Sequence, residues 1–162
     1  MERLLTINNK MKLIAHRGNT NGPNKKLENT TKYIEQAINK GFDVEIDLKL
    51  NNDAYLLGHD EKTEQTTLQW IIFYSKHLWI HCKNLEALNK LTSIDNIGNL
   101  NYFWHQKDDY TLTSKRFIWT YPRKPVTNKS VIVCKSIDEC NKYIDTDLYG
   151  ICSDYIENIR SK

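Results

Sequence analysis

Residues 42–50, FDVEIDLKL, alternate without a break: Val44, Ile46, Leu48 and Leu50 fall on one side, and Asp43, Glu45, Asp47 and Lys49 on the other. A period of two turns into two chemically distinct faces only in an extended strand. The aliphatic face needs a hydrophobic layer to pack on. The charged face is either the solvated side of a half-exposed sheet or the lining of a site that uses charge. Glu45 and Asp47 stand at i and i+2, roughly 6–7 Å apart along the backbone, so both reach a single cation. Residues 78–84, LWIHCKN, repeat the arrangement with His81 and Lys83 on one side and Ile80 and Cys82 on the other. In a closed core, two such polar faces are costly unless they surround a metal or a bound anion.

The flanking sequence supplies strands and a few helices. MKLIAHR (residues 11–17) predicts a strand and GNTNGPNKK a polar loop. Residues 29–40 then predict a helix, with Asn29 as N-cap, Tyr33, Ile34, Ala37 and Ile38 on one face, and Gly41 at the C-terminus. With residues 42–50 this makes a β-α-β unit. AYLLGHD (54–60) predicts a short strand ending at His59 and Asp60, and TLQWIIFYS (67–75) and NLEALNKL (84–91) predict short helices. NYFWHQ, YTLTS, FIWTYP, SVIVCKS and LYGICSDYI follow as strand-like runs, with helical character only in IDECNKYI between the last two.

Strands with early crossover helices predict an α/β fold, a closed eight-stranded barrel of the (β/α)8 TIM type. Such barrels typically need about 250 residues, so 162 residues imply a reduced version with several outer helices missing or shortened, chiefly around the fourth to seventh strands. An open α/β sheet of five or six strands is the competing arrangement, and periodicity alone does not choose. A single domain over residues 1–162 is expected, with residues 1–10 as a loose N-terminal extension and Met11 as a second candidate start.

Composition removes several function classes. With 40% hydrophobic and 27% charged residues the chain supports one ordinary core, and a net charge of +3 without a basic stripe argues against nucleic-acid binding. No run of about 18 apolar residues occurs and MERLLTINNK lacks the core of a secretory signal, which predicts a cytoplasmic protein without stable membrane insertion. Cys82, Cys134, Cys140 and Cys152 have no CxxC spacing and read as reduced thiols. His105, Trp104, Trp119 and Tyr121 read as structural; Asp154 either supports a site or caps a loop.

The order IAHRG (14–18), ENT (28–30), GFDVEIDL (41–48) and GHD (58–60) is similar in sequence and spacing to the glycerophosphodiester phosphodiesterase family. The likeness covers residues 13–60, and WIHCK extends it to Lys83; GICSDYI and FIWTYP resemble the family's last strand and a late Trp-Thr strand, while residues 84–149 otherwise match poorly. The resemblance implies a (β/α)8-type barrel that hydrolyses small-molecule phosphodiesters with a metal ion, in lipid metabolism. It assigns His16 and His59 as the acid–base pair, Glu45 and Asp47 as metal ligands, and Arg17 to the phosphate. The family's third ligand is usually a Glu two residues before a Lys; here that position is His81, and Lys83 is retained for the substrate. Imidazole suits Zn or Mn better than Ca or Mg, so the implied cofactor is one divalent ion among Mg, Ca, Mn and Zn. Leu27 stands where the family has a Pro, and Glu28 is a natural partner for Arg17. Two alternatives remain: a non-catalytic barrel that binds a phosphorylated ligand, and a phospholipid-directed phosphodiesterase or lyase of the same fold, which would need an exposed aromatic loop and an export signal.

Overall fold

The computed structural model describes residues 11–94 and 99–160; the expected N-terminal extension, residues 1–10, lies outside the described residues. The elements run in the order β1 (Lys12–His16), α1 (Thr31–Asn39), β2 (Asp43–Asn51), β3 (Ala54–Leu57), β4 (Glu64–Thr66), α2 (Leu68–Phe73), β5 (Leu78–Cys82), α3 (Leu85–Ser93), β6 (Tyr102–Trp104), β7 (Tyr110–Leu112), β8 (Ile118–Thr120), β9 (Ser130–Cys134), α4 (Ile137–Asn141), β10 (Gly150–Ser153) and α5 (Ile156–Arg160). No helix among the described residues is long and apolar enough to cross a membrane.

The alternating segment is the hub of the sheet. Seven strands lie parallel in the order β6-β5-β2-β1-β10-β9-β8. The N-terminal half of β2 pairs with β1 and its far half with β3 antiparallel, Leu48 opposite Leu57, while β5 runs along its other edge. The outward face of β2 places Val44, Ile46 and Leu48 in a core with Ile34 and Ala37 of α1 and Ala87 and Leu91 of α3. Each of these three strand side chains is fully buried, which stabilises the fold by about 1.5–3 kcal/mol per residue. A one-residue slip would put Glu45 and Asp47 there instead, so the register is firmly set.

The sheet curls into a half-barrel, and its inner face is filled by Ile14, Trp79, Phe103, Trp119, Val131 and Cys152. Phe103 of β6 stacks on Trp119 of β8 with ring centroids 4.6 Å apart, and Trp79 lies 5.9 Å from Trp119, so strands far apart in the ladder meet across the interior. The expected eight parallel strands are seven. Only five residues separate β6 from β7, whereas a parallel crossover needs about ten or more; β7 therefore turns back antiparallel onto β8. Among the described residues no strand ladder joins β6 to β7 or β8. The seam carries scattered bonds instead: Ser114 N–H donates to the Tyr102 carbonyl at 2.8 Å, Tyr102 N–H donates to Ser114 Oγ at 3.0 Å, and Thr111 Oγ1 donates to the Trp104 carbonyl at 2.8 Å.

Two local readings change. Helix α1 starts at Thr31 with Thr30 as N-cap, and no side chain of the cap closes its first turn. Glu64 does that from β4, a strand without periodic apolar signal: its Oε1 accepts both the Thr31 N–H and the Thr31 hydroxyl at 2.7 Å. At the N-terminal ends of the parallel strands, Asp43 accepts from Trp79 Nε1 at 3.2 Å and pairs with Lys12, also at 3.2 Å, which makes the first acid of β2 structural. Because Glu64 serves an orphan donor and sits at the positive end of the helix, Glu64→Ala should lower stability by about 1 kcal/mol, read as a shift in the urea midpoint. An unchanged midpoint would remove Glu64 as the cap of α1.

Candidate active site

The polar positions of the inner face converge where the parallel strands end. Chain direction reverses sharply after His16: Arg17 adopts φ 56° and its N–H donates to the Glu45 carbonyl at 2.8 Å. The consecutive side chains of His16 and Arg17 are thereby both turned into one cleft of about 550 Å³, which Glu45, Asp47, His59 and His81 also line.

Asp47 is completely buried, and its neighbours are arranged around its charge. Arg17 Nε lies 2.8 Å from Asp47 Oδ2, and Arg17 Nη1 donates to Glu28 Oε1 at 3.3 Å, the expected Arg17–Glu28 pair. Asn29, expected as a helix cap, instead clamps the strand: its Nδ2 donates to Asp47 Oδ2 at 2.9 Å while its Oδ1 accepts the Asp47 N–H at 3.0 Å. Burial opposes the ionised form of Asp47, but His81, Arg17 and Asn29 outweigh it and hold the carboxyl well below the usual range.

His81 is oriented from behind. Its Nε2 donates to the His105 carbonyl at 2.8 Å, and Phe103 stacks against its ring at 5.1 Å. This leaves Nδ1 facing Asp47 Oδ1 at 3.4 Å and Glu45 Oε1 at 3.6 Å. Burial works to lower the His81 pKa, yet the two carboxylates push it up to about 9. One ligand atom each from Glu45, Asp47 and His81 lies within 4.8 Å of the others. Glu45 Oε2 and Asp47 Oδ1 are buried with no hydrogen-bond partner, a costly state for carboxylate oxygens. Two carboxylates with orphaned oxygens and an imidazole whose far nitrogen is fixed by a carbonyl fit a divalent cation.

The two imidazoles expected as the acid–base pair are each held by an acid. His16 Nδ1 lies 2.8 Å from Asp154 Oδ1, which also accepts from Asn19 Nδ2 at 2.9 Å. The carboxylate fixes the Nδ1–H tautomer, so Nε2 is left for the cleft, 3.8 Å from Glu45 Oε2. Burial disfavours charge on His16, but the Asp154 bond and the charges of Glu45 and Asp154 raise its pKa. His59 follows Gly58, where the chain holds φ 150° and an added Cβ would run into the Lys62 carbonyl; only glycine permits that turn. His59 Nδ1 meets Asp60 Oδ1 at 2.7 Å.

Lys83 extends β5, its N–H donating to the Leu48 carbonyl, but it does not line the cleft; Lys135 does, with His105, Tyr121 and Asp154. From sequence, Asp154 is left between supporting a site and capping a loop, His105 and Tyr121 read as structural, and Lys135 carries no assignment. The signal was present, since each stands two positions after an inward residue: Phe103, Trp119, Val133 and Cys152.

The raised His81 pKa makes a stability prediction for the metal-free protein. A group lifted from 6.5 to about 9 on folding stabilises fully below about pH 6.5, and the gain is lost as pH rises through about 9. It is on the order of 2–3 kcal/mol. Chelator-treated protein should lose that stability between these limits, and His81→Gln should flatten the His81 part of the decline. Equal pH slopes for both proteins would contradict the placement of His81 between the two carboxylates.

No protein-family model matches the sequence, and no curated protein matches it. Solved structures do. A glycerophosphodiester phosphodiesterase from Parabacteroides distasonis aligns over 93% of this chain and 97% of its own, with 10% identity and a TM-score of 0.57. One from Thermotoga maritima aligns over the same shares with 15% identity and a TM-score of 0.55. The chain has the fold of these glycerophosphodiester phosphodiesterases.

Proposed function

We propose that the chain is a metal-dependent phosphodiesterase acting on small glycerophosphodiester-like substrates. The observation that carries this reading is the convergence of Glu45, Asp47 and His81, with orphaned carboxylate oxygens, in a cleft shared with two imidazoles that are each oriented by an aspartate. Glu45, Asp47 and His81 would hold one divalent ion, which when bound supplies Lewis-acid neutralisation of phosphate charge.

The remaining chemistry falls to the chain's own groups. Arg17, anchored through Asp47 and Glu28, offers the rest of its guanidinium to the phosphate, a charge-assisted contact. His16 takes the proton of the nucleophile at Nε2, and Asp154 stabilises the imidazolium that forms. His59, held by Asp60, gives a proton to the leaving alkoxide. The nucleophile is water or the neighbouring hydroxyl of the substrate, and product analysis separates hydrolysis from formation of a cyclic phosphate. Lys83 contributes charge from beyond the cleft, close enough to help lower the His105 pKa, after burial and the His81 charge. A purely phosphate-binding role would leave the aspartate-oriented imidazoles without a task.

Loss of either imidazole should cost the usual general acid–base factor of about 100 or more in turnover. His16→Ala and His59→Ala, assayed on bis-p-nitrophenyl phosphate and glycerophosphodiesters with several divalent ions, should each fall by that factor with circular dichroism and metal content unchanged. Near-normal turnover in both variants would overturn the assignment.

A further inference from the structure

The catalytic groups occupy one side of the cleft, on β1, β2 and β5 and the turn after β3. The rest of the lining comes from the ends of β6, β8 and β9 and presents His105, Trp119, Tyr121, Pro122, Val133 and Lys135; apart from the His105 carbonyl that orients His81, none of these takes part in the chemistry above. It is aromatic and apolar with two polar exceptions.

The first exception is Lys135. Its ammonium lies 5.7 Å from the centroid of the Tyr121 ring, and among the described residues it forms no ion pair. The acids nearby are already engaged. Glu139 gives Oε1 to Arg123 and Oε2 to the backbone N–H of Lys135 itself, both at 2.8 Å. Asp154, one position beyond the Ser153–Cys134 register pair, is engaged by His16 and Asn19. Lys124, in the loop after Tyr121, pairs with Asp109 at 3.2 Å. The second exception is His105, whose side chain is 11% exposed and whose Nδ1 is buried without a hydrogen-bond partner, 3.7 Å from Asp108 Oδ2. Its ring lies 6.2 Å from that of Tyr121.

A diester phosphate carries a single negative charge, and Arg17 already faces it. The Lys135 charge is therefore surplus to the reacting phosphate and is left for an alcohol substituent of the diester that lies along this wall. It also covers the Tyr121 face, so a quaternary ammonium seeking that ring would meet a like charge. We propose that the His105–Tyr121–Lys135 wall is the alcohol subsite, and that it selects a phosphodiester whose alcohol carries a second anionic group over one whose alcohol is neutral or cationic. This inference rests on the phosphodiesterase reading above.

The test compares ligands that differ in one group: glycerophosphoinositol, glycerophosphoinositol 4-phosphate and glycerophosphocholine, titrated calorimetrically into metal-loaded proteins that all carry His16→Ala, so that no ligand is consumed, with Lys135 wild type or changed by Lys135→Gln or Lys135→Arg. The wild type should bind the 4-phosphate about five- to tenfold more tightly than glycerophosphoinositol, with glycerophosphocholine weakest. That ratio should fall towards one in Lys135→Gln, persist in Lys135→Arg, and shrink at high salt. Equal affinities in the wild type would overturn the inference. So would a preference that survives in Lys135→Gln, which would assign it to the metal ion instead. Hydrolysis of the same ligands with His16 intact reports separately on the underlying reading: turnover without a Lys135-dependent preference removes the subsite and keeps the phosphodiesterase, whereas the preference without turnover of any diester keeps the anion subsite and removes the phosphodiesterase.

Discussion

A carboxylate with no solvent contact, that of Asp47, organises this molecule. Taking such an ion out of water costs several kcal/mol unless neighbours replace its hydration, and the neighbours that do so define the site. Arg17 reaches it because the chain turns through a left-handed residue after β1; Asn29 reaches it from the same conformation ahead of α1. Gly58 anchors the turn that carries His59 by donating to the Asp47 carbonyl at 3.0 Å. Three segments distant in sequence are thus tied to one residue of β2.

The compensation is incomplete in an informative way. Asp47 Oδ2 is shared by Arg17 and Asn29, but Asp47 Oδ1 and Glu45 Oε2 have no hydrogen bond. His81 Nδ1 faces Asp47 Oδ1 and the other oxygen of Glu45, Oε1, while His16 Nε2 lies 3.8 Å from Glu45 Oε2; His81 holds a proton more tightly than a free imidazole because of the two carboxylates. Proton and divalent ion are alternative solutions to the same electrostatic problem. The His105 carbonyl behind His81 decides which nitrogen meets the carboxylates, a task that a glutamate at this position would not need.

Residues whose chemistry follows from a local pattern were legible. Alternation in residues 42–50 and 78–84 placed Glu45, Asp47 and His81 on one face, and the aliphatic partners on the other, as found. The late strand-like runs also became strands. What the pattern could not give was partner choice. Asp154 meets His16 across 138 positions, and no local signal announces such a pair. Asn29 had the residue type of a helix cap, but a buried carboxylate competed for its amide and won. Periodicity assigns a face and not a height along it, so Lys83, in phase with His81, lies beyond the cleft, while Lys135, one residue past β9, reaches it. The missing parallel strand follows from loop length: too few residues follow β6 for another crossover.

If Glu45, Asp47 and His81 are one cation site, a metal ion that binds there must displace the proton from His81. Calorimetric titration of Mn or Zn into the metal-free protein, in buffers of different ionisation enthalpy, reads this directly. Below about pH 9 the wild type should release about one proton per ion, with affinity rising about tenfold per pH unit. His81→Glu should bind without that release and shift its order of preference towards Mg and Ca. Identical proton release and ion order in both proteins, or no binding to the wild type, would contradict it.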